Sequence, residues 1–262
     1  MPNKEKTPFV SVVLTTYNRK ELLKETIDSI LDQTFVDFEL IVIDNYSNYD
    51  FIEYMKSFND DRIRFYQNQN EGVIAVNRNY AIKKAKGEYI AFCDDDDIWD
   101  KEKVKLQVAQ ILKKPDTILV STNFSLINDK SSKLKTSLSK KIKYLIISKF
   151  KNPKFSLSYM NYIIFSSVLI KKQNILFSEN VELIGTEDFE FNLRLSFLKG
   201  NFSFINKELV KYRIHSNANS YKGRIEFVSR FIEVIEKNKL NLTLTQKYFF
   251  IFRKKIFKFL KY

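Results

Sequence analysis

The sequence has few residues of several types, and each scarcity excludes a class of protein. Its 262 residues include one Cys, five Gly, four Pro and one His. The lone Cys93 cannot form an intrachain disulfide, which excludes a disulfide-stabilised secreted domain. Few glycines and prolines argue against linkers and disorder. No glycine precedes Gly72, so the glycine-rich phosphate loops of P-loop and Rossmann proteins are missing after the first strand.

Long hydrophobic runs are also missing. The longest nearly apolar run, residues 162–170, is too short to span a bilayer, and the N-terminal residues lack the apolar stretch of a signal peptide. We therefore expect a cytoplasmic protein. Hydrophobic residues make up 44% of the chain and aromatic residues 15%, which is typical of a globular protein with a sizeable core.

The net charge of +13 is unevenly distributed. Residues 130–154 hold nine Lys and no acidic residue, and residues 220–262 hold eleven Lys or Arg against three Glu. The rest of the chain is slightly acidic. Because a nucleic-acid-binding domain would carry its basic residues across the working face, we predict no nucleic-acid partner. Anionic lipid or a phosphate-bearing acceptor fits the two basic segments better.

Strand and helix patterns alternate along the first hundred residues. Strands are predicted at 9–15, 38–43, 63–66 and 89–93, and helices at 20–31 and 73–84. This order predicts a parallel sheet with helices on both faces. Farther along, the pattern predicts a helix at 101–112, a strand at 117–127, a return to the sheet at 162–170, a helix at 187–198, short strands at 202–205 and 210–214, and helix after residue 224. We expect one domain over residues 1–220 and a helical extension over 221–262.

Four consecutive aspartates, residues 94–97, follow the fourth predicted strand. Adjacent carboxylates repel one another, and ligands bind at the carboxyl ends of strands in α/β sheets. Asp44 ends the second strand on the same edge. A metal-assisted phosphate or diphosphate site is therefore expected. The alternative is a solvated acidic turn, and in either case we expect Asp97 to cap the helix that follows.

Six blocks together resemble the family 2 glycosyltransferases, whose fold is the nucleotide-diphospho-sugar transferase fold called GT-A. They are VSVVLTTYNR at 10–19, ELIVIDNYS at 39–47, NEGVIAVNRN at 70–79, KGEYIAFCDDDDIW at 86–99, TEDFEFNLRL at 186–195 and YRIHSNANS at 212–220. The resemblance runs from Pro8 to about Ser220. It implies an α/β fold with a GT-A type, mainly parallel sheet flanked by helices.

The resemblance assigns residues to the nucleotide-sugar donor. Thr15 and Tyr17 would line the nucleotide pocket, with Arg19 beside them, although Tyr17 could instead be a packing aromatic. Asp44 would accept the imide proton of uracil or thymine, and the alternative is an Asx turn. Arg78 could reach the diphosphate or the sugar, and the alternative is a solvated helix face.

The resemblance also implies a metal site in the aspartate run. Asp96 would bind the metal, Asp94 would face the ribose or metal, and Asp95 would lie close to the donor sugar. His215, the only histidine, could complete the site, and a structural role is the alternative. Such sites leave positions to diphosphate oxygens and water, so few protein ligands suffice for Mn²⁺ or Mg²⁺. An imidazole ligand would favour Mn²⁺ slightly.

In the family, the aspartate of an E-D pair is the general base, which assigns that role to Asp188, with Glu187 near the donor. The alternative is an acidic pair that only stabilises the N-terminus of a helix. Transfer with inversion needs one base for the acceptor hydroxyl while a metal stabilises the leaving diphosphate.

These implications predict an inverting, metal-dependent hexosyltransferase that moves a sugar from a UDP-sugar to a glycan or lipid-linked acceptor in bacterial surface polysaccharide or lipopolysaccharide synthesis. Two alternatives remain, a sugar-nucleotide pyrophosphorylase-like enzyme and a non-catalytic, membrane-attached binding protein. Residues 247–262 have the pattern of a basic amphipathic helix, which predicts peripheral contact with the inner face of the cytoplasmic membrane, or packing on protein.

Overall fold

The computed structural model describes residues 7–135 and 163–215. The strands of these ranges are β1 (Val10–Thr16), β2 (Phe38–Asp44), β3 (Ile63–Gln67), β4 (Tyr89–Asp94), β5 (Ile98–Trp99), β6 (Thr117–Ile127), β7 (Leu169–Lys171) and β8 (Asn201–Arg213). The helices are α1 (Lys20–Leu31), α2 (Phe51–Lys56), α3 (Ile74–Lys84), α4 (Lys103–Lys113) and α5 (Glu187–Ser196). Short 3₁₀ turns occupy Phe165–Ser167 and Val181–Leu183.

The strands join in one sheet in the order β3-β2-β1-β4-β7-β6-β8-β5. β1 lies parallel to β2 and β4, β2 to β3, and β6 to β8, whereas β7 is antiparallel to β4 and β6, and β5 to β8. The predicted α/β fold with a mainly parallel sheet is confirmed. In register, Thr16 lies beside Asp44 and Thr15 beside Asp94. Asp44 and Asp94 therefore end on the same edge of the sheet, as expected.

Helices cover both faces because successive strand side chains point to opposite sides. On one face, Leu14 packs in a cluster with the apolar residues of α1, α2 and α4. On the other face, Val13 packs with α3 and α5 and with a group of four phenylalanines, Phe92, Phe165, Phe177 and Phe191. Each fully buried aliphatic or aromatic side chain stabilises the fold by about 1.5–3 kcal/mol. The carboxyl edge of the sheet lies between these two layers and is free for polar residues.

Several elements differ from the sequence-based expectation. α2 was not predicted; its cap is Asp50, whose carboxylate accepts the N–H of Glu53 at 2.9 Å. The two short strands predicted at 202–205 and 210–214 are one long strand, β8, because pairing with β6 continues on either side of an irregularity at its polar centre. Part of the predicted strand at 162–170 is the 3₁₀ turn, and only β7 joins the sheet.

The expectation that Asp97 caps a helix was wrong. α4 begins at Lys103, and β5 lies between it and the aspartate run. The Asp97 carboxylate instead accepts the backbone N–H of Arg213 on β8 at 2.9 Å. The predicted extension over 221–262 and most of the lysine-rich segment lie outside the described residues, so the domain boundary stays a prediction. In the described part of the chain, no helix has the length and apolar character needed to cross a membrane.

Candidate active site

A cleft of about 330 Å³ opens at the carboxyl end of β1. Four of the predicted donor-binding residues line it, namely Thr15, Tyr17, Arg19 and Asp95. The Tyr17 side chain is 54% exposed, so the alternative role in packing is not what the structure shows. The remaining lining residues, which the sequence analysis did not single out, are Thr16, Asn45, Asn70, Gly72, Ile74 and Asn77.

Amide side chains order the far wall of this cleft. Asn45 accepts the N–H of Asn70, and Asn70 accepts the N–H of Gly72, both at 2.9 Å. Gly72 has a φ of +82°, a conformation that other residues rarely adopt. Asn77 accepts a hydrogen bond from Asn68 at 2.7 Å. The block at 70–79 pointed to this region, but the helix pattern alone could not show which of its residues face the cleft.

Asp44 lies beneath the cleft rather than in its lining. Its side chain is fully buried, and the carboxylate accepts the backbone N–H of Ser47 at 2.9 Å, the Ser47 hydroxyl at 2.5 Å and the Gln67 amide at 3.0 Å. The alternative role, closing a turn after a strand, therefore describes its local geometry. Its contact with a base stays a prediction.

Two arginines hold the carboxylates of the aspartate run. Arg19 Nη1 lies 2.9 Å from Asp95 Oδ1 and 2.7 Å from Asp96 Oδ2. Arg78 Nη2 lies 2.9 Å from Asp94 Oδ1, and its Nη1 lies 3.2 Å from Glu187 Oε1. Each guanidinium thus bridges two acidic side chains, which offsets part of their mutual repulsion.

Arg78 is buried, with an exposed fraction of 5%, so the alternative of a solvated helix face is wrong. Its guanidinium carbon lies 4.6 Å from the ring centroid of Phe165 and 5.4 Å from that of Phe177. These cation–π contacts hold the guanidinium against the aromatic core from below while Asp94 and Glu187 bind it from above.

The charges of the cluster shift several pKa values. Burial raises the pKa of Asp95 to about 6, opposed by Arg19 and assisted by Asp96. Burial also raises the pKa of Asp94, against the opposing charge of Arg78. The pKa of Asp97 lies well above its usual value because of burial and repulsion from Asp94 and Asp96. The raised pKa values reflect burial and the mutual repulsion of the carboxylates, and a further cation would relieve that repulsion.

The structure brings His215 and Asp96 together. His215 Nε2 lies 2.8 Å from Asp96 Oδ2, and its Nδ1 lies 2.6 Å from Asp129 Oδ1. Within residues 7–135 and 163–215, no three His, Cys, Asp or Glu side chains converge as a metal cluster. The pair Asp96 and His215 still fits a divalent ion that takes its other ligands from a diphosphate, because oxygen and imidazole donors suit Mn²⁺ and carboxylate oxygen suits Mg²⁺.

Glu187 and Asp188 begin α5, as predicted. Thr186 occupies the N-cap position of α5, but its hydroxyl donates to the carbonyl of Leu183 at 2.9 Å and caps no helical N–H. Burial, then the charge of Glu187, raises the pKa of Asp188 to about 6, and Arg78 opposes the shift. The acidic pair is thus electrostatically coupled to the aspartate run across the site.

Besides the cleft residues named above, sequence reasoning missed Asp129 and Arg213. Asp129 follows β6 in a polar turn that carries no signal of its own. Arg213 was quoted only within the block at 212–220. The structure shows both in contact with the His215 and Asp96 region.

Comparisons with known proteins agree with this geometry. Residues 11–172 match the family described as "Glycosyl transferase family 2". An uncharacterized glycosyltransferase of Methanocaldococcus jannaschii is 33% identical over 223 residues, which cover 84% of this chain and 75% of that protein. WfgD of Escherichia coli, a "UDP-Glc:alpha-D-GlcNAc-diphosphoundecaprenol beta-1,3-glucosyltransferase", is 34% identical over 136 residues, which cover 52% of this chain and 53% of WfgD.

Among solved structures, S. aureus TarS 1-349 in complex with UDP-GlcNAc superposes with a TM-score of 0.68. It is 20% identical, and the match covers 91% of this chain and 68% of that fragment. This likeness bears on the fold alone. The family match spans more than half of the chain and includes the cleft and the aspartate run, so this protein belongs to the family 2 glycosyltransferases.

Proposed function

We propose that this glycosyltransferase is an inverting, metal-dependent hexosyltransferase that takes its sugar from a UDP-sugar. One observation carries the proposal: the cleft at the end of β1 adjoins an acidic run whose carboxylates are bridged by Arg19 and Arg78. A nucleotide can enter the cleft, and its diphosphate would then meet both guanidinium groups. UDP-Glc in the name of WfgD and UDP-GlcNAc in the TarS complex support the choice of a uridine donor.

The residues proposed to bind the nucleotide and the diphosphate divide into two groups by their chemistry. Thr15, Tyr17 and the buried Asp44 would recognise the base and ribose, whereas Arg19 and Arg78 would bind diphosphate oxygens. For Arg19 this requires exchange of its carboxylate partners for phosphate oxygens, and its 44% exposed side chain leaves room for that movement. Because a guanidinium binds phosphate in a bidentate manner, Arg19 can replace its carboxylate pair with one phosphate. Arg78, whose side chain is 6% exposed, would meet the diphosphate only after Asp94 moves aside.

The acidic residues would act on the metal and the sugar. Asp96 and His215 would hold Mn²⁺ or Mg²⁺, Asp94 would face the ribose or metal, and Asp95 would orient the donor sugar with Glu187 nearby. A bound divalent ion would stabilise the negative charge of the departing diphosphate. Asp96 and His215 would suffice as protein ligands, because such an ion would take its remaining ligands from the diphosphate and water.

Asp188 would be the general base. Its pKa of about 6 leaves the carboxylate deprotonated at neutral pH while making it a stronger proton acceptor than an ordinary aspartate. One carboxylate oxygen of Asp188 would take the proton of the acceptor hydroxyl. The hydroxyl oxygen of the acceptor would at the same time attack the anomeric carbon from the face opposite the diphosphate. This single displacement inverts the configuration at that carbon.

The acceptor would be a glycan or lipid-linked sugar of bacterial surface polysaccharide synthesis, by analogy with the diphosphoundecaprenol acceptor named for WfgD. Such an acceptor would place the reaction at the inner face of the cytoplasmic membrane. The basic pattern at 247–262 would contribute peripheral contact there.

The variant Asp188→Asn tests the mechanism. It keeps the size of the side chain but cannot take the proton, so we expect transfer to fall by about two to four orders of magnitude. Donor affinity, measured by calorimetry with UDP-sugar and Mn²⁺, should be nearly unchanged. Wild-type transfer should rise with pH through about 6 and then level off, because Asp188 must be deprotonated to act.

Glu182→Gln is a matched control, because it removes an exposed carboxylate six residues from Asp188. Its transfer rate should equal that of wild type. Near wild-type transfer by folded Asp188→Asn would refute the assignment of the base. Transfer by wild-type protein in excess EDTA would refute the metal dependence and leave the base assignment standing.

A further inference from the structure

The guanidinium of Arg213 joins three separate parts of the chain near the site. The side chain has no exposed surface. Nε donates to the carbonyl of Asp96 at 2.8 Å, and Nη1 donates to the carbonyls of Asn128 and Asp129 at 3.1 and 3.3 Å. Nη2 lies 2.8 Å from Glu25 of α1. The side chain therefore connects the aspartate run, the turn after β6 and the first helix.

A second bridge, made by His215, spans two of the same three parts. Its imidazole contacts the side chains of Asp96 and Asp129, whereas Arg213 contacts the backbone carbonyls of these same two residues. The backbone N–H of Arg213 also donates to Asp97, so the end of β8, two residues before His215, is held against the aspartate run at one more point.

We propose that Arg213 is a positioning residue, which sets the separation of Asp96 and Asp129 so that the His215 imidazole fits between them. The inference rests on the proposed function in one respect, that Asp96 and His215 form the metal site. Arg213 itself touches neither donor nor metal. It acts by holding the backbone of Asp96 on one side of the imidazole and that of Asp129 on the other. The ring is thereby oriented with Nε2 toward the Asp96 carboxylate.

Lysine cannot replace this residue. Its single nitrogen carries the same charge but lacks the planar fork that reaches acceptors in several directions. In Arg213→Lys, at least one buried carbonyl would lose its donor, and the turn after β6 would no longer be tied to the aspartate run. We expect the imidazole of His215 to lose its fixed orientation.

Because His215 is the only histidine of the chain, labelling histidine with ¹⁵N and ¹³C gives a single set of ring signals that reports on this site alone. In wild type we expect sharp signals of one ring environment. In Arg213→Lys the shifts should move toward those of free histidine, or the signals should broaden. With UDP present to complete the proposed metal site, Mn²⁺ affinity measured by calorimetry should fall by about 10- to 100-fold, the usual effect of losing an outer-shell partner.

Arg62→Lys is the matched control. Arg62 is partly buried and, like Arg213, donates to a carboxylate, that of Asp60, and to a backbone carbonyl, that of Leu31, but it has no contact with the aspartate run. This variant should leave the histidine signals and the Mn²⁺ affinity unchanged. Unchanged histidine signals in folded Arg213→Lys would overturn the proposal, whatever its transfer rate.

Loss of a buried guanidinium could unfold the protein, and a second variant covers that outcome. Glu25→Ala with Ser131→Ala removes two acceptors of Arg213 on exposed residues, the Glu25 carboxylate and the Ser131 hydroxyl at 3.0 Å. The histidine signals should shift in the same direction by a smaller amount, and unchanged signals in this double variant would also overturn the proposal. Wild-type protein that binds no Mn²⁺ would contradict the proposed metal site, while the histidine signals would still test the role of Arg213.

Discussion

Lys103 is a fully buried lysine whose removal should change the pH dependence of stability. Its Nζ donates to Gln107 Oε1 at 2.9 Å and lies 3.7 Å from the ring centroid of Trp99. Among the described residues, no carboxylate forms a salt bridge with it. Burial lowers its pKa from 10.5 to about 7. The folded state therefore binds this proton less tightly than the unfolded state does.

The sign and size of the effect follow from proton linkage. Between about pH 7 and pH 10.5 the unfolded chain holds a proton on Lys103 that the folded chain releases, so this residue makes the folded state more stable as the pH rises. The stabilising contribution of Lys103 is complete above the pKa that its side chain has in the unfolded state. It is lost as the pH falls through the pKa of the side chain in the folded state. A shift of this size corresponds to about 5 kcal/mol in total, of which about 2 kcal/mol should appear between about pH 7 and pH 9.

The measurement is urea unfolding of wild type and Lys103→Met at about pH 7, 8 and 9. Methionine removes the charge and keeps an unbranched apolar side chain, so the variant should lose the rise of about 2 kcal/mol relative to wild type. Lys105→Met is the control, because Lys105 is exposed on the same helix and should leave the pH dependence as in wild type. Parallel curves for wild type and Lys103→Met would refute the reasoning.

Two further predictions concern the metal site and the C-terminal segment. Asp96→Ala should abolish transfer and weaken Mn²⁺-dependent donor binding in calorimetry, because the protein would no longer hold the metal ion that neutralises the diphosphate. His215→Ala should reduce transfer less, because water can replace one ligand of the metal. Full metal dependence and rate in His215→Ala would contradict the ligand assignment. Removal of the last sixteen residues should leave donor hydrolysis intact but lower recovery in membrane fractions, and loss of donor binding would instead mean that the segment packs on the domain.

The regular part of the fold was predictable because its periodicities are strong. β1, α1, β2, α3 and β4 lie within about one residue of their predicted ends, since buried parallel strands and amphipathic helices leave clear patterns. α2 was missed because six residues are too few for a periodic pattern, and its cap, Asp50, is one of several polar residues in the segment. The break expected within β8 reflects polar residues at its centre, which tertiary pairing with β6 overrides.

The site was predictable in its location but not in its contacts. Strand ends placed Asp44 and Asp94 on one edge, which is a property of parallel sheets and needs no side-chain detail. The partners were not predictable: Arg19 pairs with residues 76 and 77 positions away, and Arg213 contacts Asp96 across 117 positions. Such contacts depend on the packing of distant elements, and a single sequence carries no record of them. The wrong assignment of Asp97 has the same cause, since its partner is on the last described strand.

The aromatic support of Arg78 makes the hydrophobic core part of the proposed donor site. The rings of Phe177 and Phe191 stack with centroids 4.1 Å apart, and Phe165 and Phe177 lie directly against the guanidinium. A smaller residue at any of these positions would leave a cavity and also let the guanidinium move away from Asp94. Thermostability and donor affinity would therefore change together. A laboratory selection for higher thermostability would also change donor affinity at these positions, and the reverse holds for a selection on affinity. Substitutions in this cluster should therefore be tolerated only in compensating pairs.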